Sequence, residues 1–148
     1  MVSIISIKSK KLNGEIFVPG DKSISHRALI LGACAIGKTT IENLLESEDV
    51  LATLKALKEL GVNIKKTRNL WEVRGNGLGS LINPNKTLNL GNSGTGVRLL
   101  MGLVSGCPIT VSFTGDKSLN TRPMKRVLIP LKQSGAEIIS NDYKLPVT

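Results

Sequence analysis

Three short stretches of this chain combine glycine with cationic and hydroxyl side chains: "GDKSISHR" (Gly20 to Arg27), "GNSGTGVR" (Gly91 to Arg98) and "GDKSLNTR" (Gly115 to Arg122). The first and third share Gly, Asp, Lys, Ser and Arg at identical spacing. These residue types suit anions. Lys22 brings a mobile ammonium, Ser23 a hydroxyl, and Arg27 a planar guanidinium fork that matches phosphate or carboxylate. Ser23 and Arg27 are four apart, so they share one face if a helix starts here. Gly91, Gly94 and Gly96 remove side chains, which lets backbone amides come close to an anion. In the third stretch Pro123 places Arg122 at a helix mouth instead of one turn inside it.

The blander reading is that Gly-Asp-Lys-Ser is good turn and cap chemistry. Asp21, Asp49 and Asp116 suit loop orientation and capping better than acid or base work. His26 has no visible carboxylate partner and reads as a surface or packing residue, while Lys8, Lys10, Lys11, Lys65 and Lys66 read as solvated charge. What favours a site is repetition, because three such junctions each open a helix. A helix N-terminus carries unpaired N–H groups and about half a positive charge. A fourth stretch, "GACAIGKT" (Gly32 to Thr39), fits the phosphate-loop pattern G-x-x-x-x-G-K-[ST]. That motif needs a strand before it and a helix after it. Here an apolar helical run precedes and the strand-like "TTIENLL" follows, which argues against a nucleotide site.

Composition narrows the partners. The 148 residues carry a net charge of +9, which calls for an anionic partner: nucleic acid, a membrane surface or a phosphorylated metabolite. Single-stranded nucleic acid sites rely on stacked rings. The aromatic residues Phe17, Trp71, Phe113 and Tyr143 all lie outside the basic clusters. Small anions are therefore expected, with no nucleic acid and no membrane partner. Cys34 and Cys107 have no metal-ligand spacing and read as buried free thiols of a reducing compartment. One histidine is too few for a recognisable zinc set. "MVSIISIKSKK" puts apolar residues before basic ones, the reverse of a secretory signal, and "ALILGACAIG" is too short to span a bilayer. A soluble cytoplasmic protein is the expectation.

The elements that must hold these loops follow from periodicity. "EIFV" (Glu15 to Val18) reads as a strand, and Ser23 as the cap of a helix burying Ile24, Ala28, Leu31 and Ala35 and stopped by Gly37. "TTIENLL" is a strand. Ser47 caps a second helix, with Glu48 and Asp49 favouring its dipole, Val50, Leu54 and Leu57 on its apolar face and Gly61 at its end. "VNIKKT" and "LWEVR" form two strands turning at Arg68-Asn69. This β-α-β-α-β-β order then restarts. "TLNL" leads into a helix burying Val97, Leu100, Met101 and Val104. "ITVSF" leads into a helix from about Pro123 to Ser134 that Pro130 should kink or shorten, and "AEIIS" and "YKLPV" close the unit. The fold class is α/β (α+β) with repeated units, about 14–76 and about 86–148, the second cut off near its last strand.

Taken together, "PGDKSISHRALILGACAIGKTTIENLLESEDVLATLKALKELG", "LGNSGTGVRLLMGLVSG" and "TGDKSLNTRPMKRVLIPLKQSGAEI" resemble, in order, three signature segments of the EPSP synthases (3-phosphoshikimate 1-carboxyvinyltransferases). The resemblance implies two domains, each of three β-α-β-α-β-β units, with helix N-termini converging on a cleft for shikimate 3-phosphate and phosphoenolpyruvate. It implies that Lys22, Ser23 and Arg27 hold shikimate 3-phosphate, and that Lys22 also reaches phosphoenolpyruvate and serves the chemistry. Asn92, Gly94, Thr95 and Arg122 would hold phosphoenolpyruvate, and Arg98 would brace the glycine loop. The implied reaction belongs to the shikimate pathway of aromatic amino acid biosynthesis and needs no metal or organic cofactor. The UDP-N-acetylglucosamine enolpyruvyl transferases share that fold and chemistry. They differ at Ser23, where they carry Asn, and by a loop cysteine where this chain has "TGDKSLNTR". Family members are more than twice as long. The resemblance thus implies a fragment, inactive alone, whose partner is the missing C-terminal part. Residues 14–148 would be a partial N-terminal domain, and residues 1–13, with a strand at about Ile4 to Lys11, would belong to the second domain.

Overall fold

The computed structural model describes residues 3–8 and 10–148. Two similar units follow one another. In the first, α1 (Lys22–Cys34), β1 (Ile36–Glu42) and α2 (Glu48–Glu59) precede the hairpin of β2 (Asn63–Thr67) and β3 (Leu70–Asn76). In the second, β4 (Leu88–Asn89), α3 (Gly94–Val104), β5 (Phe113–Thr114), α4 (Lys117–Thr121) and α5 (Lys125–Gln133) precede β6 (Ser140–Asn141) and β7 (Lys144–Val147).

Each unit builds a small sheet with the hairpin partner in the same place. The first sheet has the order β1-β3-β2, all antiparallel, with Val73 opposite both Thr39 and Ile64. The second has the order β4-β5-β7-β6, with Leu88 beside Phe113 in parallel and Phe113 opposite Val147 in antiparallel pairing. The order β1-β3-β2 matches the order β5-β7-β6. Both closing strands of the second unit are present. Ile139 and Thr148 also exchange two backbone hydrogen bonds of 2.8 and 2.9 Å beyond β6 and β7.

"EIFV" is a correction. The parallel strand β4 in unit two has no counterpart in unit one, because Ile16, Phe17 and Val18 form no ladder and are 82%, 96% and 69% exposed. A run of β-branched and aromatic residues becomes a strand only where a partner edge takes up its N–H and C=O groups. Of the expected strand at 1–13, Met1, Val2 and Ser9 lie outside the described residues, and the described part carries no strand assignment.

The helices α1, α2 and α3 pack against one another and carry the core: Leu29 from α1, Leu54 and Leu57 from α2, Val97 and Leu100 from α3. α2 and α3 bury the faces their spacing predicts. Gly61 ends the α2 turn in the left-handed region, φ +91°, where a side chain is strained. α1 does not bury its predicted face. Ile24 and Leu31 are exposed, while Ser25, His26, Leu29, Gly32 and Ala33 are buried. The reason is polar compensation: Ser25 Oγ accepts from Leu45 N at 3.0 Å, and His26 finds a hydroxyl on α2, so two polar residues can be buried. A Cβ on Gly32 would lie 3.3 Å from Thr39 Cβ and from Val73 Cβ, so this face packs tightly on β1 and β3.

Other boundaries moved for local reasons. β1 starts at Ile36, before "TTIENLL", and stops at Asn43, whose φ of +51° breaks the extended run. α1 ends at Cys34 with Ala35 as its C-cap, and Gly37 falls inside β1. α5 continues through Pro130 to Gln133. α4 was not anticipated. Cys34 and Cys107 are free but half-buried; the Cys107 thiol donates to Leu78 O at 3.3 Å. No helix among the described residues is long and apolar enough to cross a membrane.

Candidate anion-binding site at the helix N-termini

The N-caps set the geometry. At α1 the cap is Asp21, not Ser23: Asp21 Oδ1 accepts from Ile24 N at 2.7 Å, which leaves the Ser23 hydroxyl exposed. Asp116 does the same at α4, accepting from Leu119 N at 2.7 Å. Ser93 caps α3, with Oγ accepting from Gly96 N at 3.2 Å. At α2 Ser47 occupies the cap position, but its hydroxyl makes no cap hydrogen bond and is buried without a partner.

Capping frees the cations to face outward. Lys22 Nζ pairs with Asp49 in the first turn of α2, which ties the mouths of α1 and α2 together. Arg27 is exposed on α1, one helical repeat beyond Ser23, and makes no hydrogen bond or ion pair among the described residues. The second cluster surrounds the glycine loop. Arg122, the residue that ends α4, donates to Asn92 Oδ1 and lies 3.3 Å from Ser118 Oγ. Asn92 in turn donates to Asp116 Oδ2 at 2.7 Å. Arg98 donates to Gly94 O at 2.8 Å and to Pro123 O at 3.2 Å, so it braces the loop, the role the resemblance implies.

The three glycines have separate duties. The amides of Gly91, Gly94 and Gly96 are already engaged with Asn89 Oδ1, Asn92 O and Ser93 Oγ, which corrects the view that they all present N–H groups to a ligand. A Cβ on Gly94 would sit 2.8 Å from Arg98 Nη1 and 2.9 Å from Arg122 Nη1. The absent side chain is where two guanidinium groups stand. A Cβ on Gly96 would overlap Thr53 Oγ1 and Ser93 Oγ, so Gly96 allows α3 to press on α2.

The two clusters are linked through buried contacts between α2 and α3. Lys22 leads to Asp49, Thr53 of α2 meets Ser93 and Gly96 of α3, and the glycine loop meets Arg122. The structure therefore gathers Lys22, Asn92, Gly94 and Arg122 along adjoining helix starts, with Ser23 and Thr95 exposed beside them. Like charges crowd around the glycine loop. Burial, then the like charges of Arg122 and Arg126, lower the Arg98 pKa from its ordinary value. The Asn92 hydrogen bond and the Leu119 amide hold Asp116 below the usual carboxylate range, so it stays ionised. No group of three His, Cys, Asp or Glu side chains that could hold a metal occurs among the described residues.

The phosphate-loop look-alike lies elsewhere and points the wrong way. Gly32 to Thr39 spans the end of α1 and the start of β1, and the carbonyls of Gly32, Ala33 and Ala35 crowd against Gly75. A helix C-terminus presents carbonyl oxygens, which repel phosphate. Lys38 faces Glu72 at 3.6 Å. Sequence reasoning missed one residue near the site, His26, which is fully buried with Nδ1 2.9 Å from Thr53 Oγ1. The signal was its position four residues after Lys22, one turn deeper on the same helix face.

The chain is similar to known proteins over nearly its whole length. The family model for EPSP synthase (3-phosphoshikimate 1-carboxyvinyltransferase) matches residues 7–148. A 3-phosphoshikimate 1-carboxyvinyltransferase of Rhodopseudomonas palustris (strain BisA53) is 54% identical over 144 residues, covering 95% of this chain and 32% of the relative. One from Zymomonas mobilis is 49% identical over 147 residues, covering 98% and 32%. The solved EPSP synthase of Acinetobacter baumannii superposes with a TM-score of 0.85 at 42% identity, over 90% of this chain and 31% of that one. The chain spans about a third of the length of the relatives it matches.

Proposed function

The chain belongs to the EPSP synthase family, and on that premise we propose that it supplies one wall of a site that joins phosphoenolpyruvate to shikimate 3-phosphate. In that reaction the 5-hydroxyl oxygen bonds to C2 of phosphoenolpyruvate while the methylene carbon takes a proton. The tetrahedral adduct then loses phosphate and a proton to restore the enol ether. Both substrates are multiply charged and must be held side by side. The barrier therefore yields to positioning and to fixed positive charge. Lys22, Ser23 and Arg27 hold shikimate 3-phosphate, and Lys22 reaches across to phosphoenolpyruvate. Asn92, Gly94, Thr95 and Arg122 hold phosphoenolpyruvate, with the guanidinium of Arg122 standing in the space that Gly94 leaves open.

The observation that carries this reading is the continuity of cationic helix starts from Lys22 to Arg122, joined through Asp49, Thr53 and the Ser93–Gly96 turn. The proposed division of the chain follows the repeat: residues 14–148 form two units, about 14–76 and about 86–148, and residues 1–13 pair with a second body. The partner is the C-terminal part of the same enzyme, the pathway is that of aromatic amino acid synthesis, and the compartment is the cytoplasm.

The test is a calorimetric titration of shikimate 3-phosphate into the chain and its variants. Lys22→Ala and Arg27→Ala abolish binding, and Lys38→Ala retains it. Equal affinity in the chain and in Lys22→Ala overturns the assignment. Phosphate release is then followed in two arms, the chain alone and the chain with the C-terminal two thirds of the Rhodopseudomonas palustris relative added. Turnover is expected in the second arm only.

A further inference from the structure

His26 is the single histidine of the chain, and its ring is completely buried at the place where α1, α2 and α3 meet. Its position forms part of a regular arrangement. Lys22 and His26 are four apart on α1, and Asp49 and Thr53 are four apart on α2. The side chains pair in the same order: Lys22 with Asp49 at the mouth, His26 with Thr53 one turn deeper. The two helix starts are thus joined by two rungs. The outer rung is ionic and open to solvent, and the inner rung is neutral and dry.

The inner rung also touches the third helix. A Cβ on Gly96 would overlap Thr53 Oγ1 and lie 3.4 Å from His26 Cε1. Gly96 is the residue whose amide is held by the α3 cap, Ser93, and it follows Gly94 by two positions. The height of the Thr53–His26 pair therefore sets how far α3, and with it the loop at Asn92 to Thr95, can approach α1.

The Thr53 hydroxyl lies 2.9 Å from His26 Nδ1 and 3.4 Å from the carbonyl of Asp49. With the hydroxyl donating to that carbonyl, its oxygen accepts from Nδ1–H, and this is the tautomer the proposal below takes up. The other ring nitrogen, Nε2, is buried without a partner among the described residues. Burial keeps the ring neutral by lowering its pKa; Asp49 opposes this and Lys22 adds to it, the two charged side chains that act on the ring.

We propose that His26 and Thr53 are positioning residues: their neutral hydrogen bond sets the spacing between Lys22 on α1 and the glycine loop of α3, so that both can meet one anionic substrate. This rests on the substrate reading above. It gives a reason for a buried imidazole that leaves one nitrogen unsatisfied, a cost that an apolar residue of similar size would avoid.

The test separates hydrogen bonding from packing and uses the 148-residue chain. Nitrogen-15 NMR of the unmutated protein reads the one imidazole directly. The expected result is the Nδ1–H tautomer, with ring shifts that stay flat through the ordinary histidine pKa of about 6.5. An Nε2–H tautomer, or titration near that value, overturns the proposal without any variant. Thr53→Ser keeps the hydroxyl and loses a methyl, whereas Thr53→Val keeps the shape and loses the hydroxyl. Thr53→Ser is expected to retain shikimate 3-phosphate affinity. Thr53→Val weakens it about fivefold to tenfold and shifts the backbone amides of Lys22 and Gly94 in the ligand-free protein. His26→Asn, whose amide nitrogen falls near Nδ1, is expected to bind more tightly than His26→Gln. If Thr53→Val matches the unmutated chain while Thr53→Ser falls, packing is the whole role and the proposal fails. If the unmutated chain binds no shikimate 3-phosphate, the substrate reading fails, and the tautomer and ligand-free amide shifts still judge the positioning role.

Discussion

The loops at Gly20–Arg27 and Gly115–Arg122 begin with the same four residues and the same cap, then diverge. In both, an aspartate accepts from the amide three residues on at 2.7 Å. After Asp21 the helix runs 13 residues, and Arg27 stays on its exposed surface. After Asp116 it runs five residues and ends at Arg122, the residue before Pro123. Proline disfavours helical backbone in the residue that precedes it. That one difference turns an arginine on the flank of a helix into an arginine between two helices, where it reaches Asn92. The lysines diverge as well: Lys22 is tied to Asp49 across to α2, and the exposed Lys117 has no ion pair among the described residues. Identical letters thus deliver identical caps, while the neighbours decide what the cations do.

The largest expected effects test whether both loops are equally locked. A Cβ at Gly20 would overlap the backbone carbonyl of Asn43, and one at Gly115 would overlap Leu119 Cδ2 and lie 2.6 Å from Gly91 O. Neither loop has spare room. Gly20→Ala should cost about 2–4 kcal/mol by urea unfolding. Gly115→Ala should cost less, because part of its clash is with a side chain that can rotate. Equal losses would show that Leu119 is as rigid as the backbone, sharpening the parallel between the loops.

A second comparison separates their cations. Lys22→Ala is expected to abolish measurable shikimate 3-phosphate binding, a loss of more than about tenfold, in line with losing a charge-assisted contact. Lys117→Ala should change it less than about twofold, since removing one exposed charge acts mainly through a screened field. Equal losses in calorimetry would break the distinction between the loops.

The caps give smaller effects and a pH signature. Asp21→Ala removes a helix cap and should cost about 1 kcal/mol. Asp116→Ala removes a cap and also the partner of Asn92, so the larger change should be in the amide shifts of Asn92 and in phosphoenolpyruvate affinity. Asp116 titrates below the usual carboxylate range because Asn92 and the Leu119 amide favour its ionised form. A depressed carboxylate contributes stability above its unfolded pKa and loses it as pH falls through the folded value. The Asn92 side-chain amide signal should therefore move with a midpoint below the ordinary aspartate value. A midpoint at that ordinary value would show that the Asn92–Asp116 bond is absent in solution.

How much of this was legible depended on how local the cause was. α2, α3 and the β2–β3 hairpin were readable because a cap, an apolar stripe and a stop all lie within one short window, and the left-handed Arg68 falls at the expected turn. The strand at Glu15 to Val18 was misread because strand formation needs a partner edge, which no local pattern reports. α1 was misread because it is apolar around much of its surface. Its buried side is chosen by Leu45, Thr53 and Val73, which lie far along the chain. The site was legible as three cationic helix starts, but their joining through Asp49, Thr53 and Gly96 was not, and neither was the burial of His26.

The smallest expected effect concerns the fourth glycine stretch, which contrasts with both loops. "GACAIGKT" matches a phosphate-loop pattern, yet it lies at the end of α1 instead of the start of a helix. The macrodipole that favours anions at a helix start disfavours them here, since the last turn exposes carbonyl oxygens. Lys38 also has a local role, facing Glu72 at 3.6 Å across the β1–β3 ladder with about half its side chain in solvent (52%). Pairs so exposed contribute little. Lys38→Ala should lower stability by less than about 0.5 kcal/mol and leave shikimate 3-phosphate affinity unchanged. Magnesium-dependent nucleotide binding that vanishes in Lys38→Ala would reverse this ranking and show that residue pattern outweighs helix polarity at this stretch.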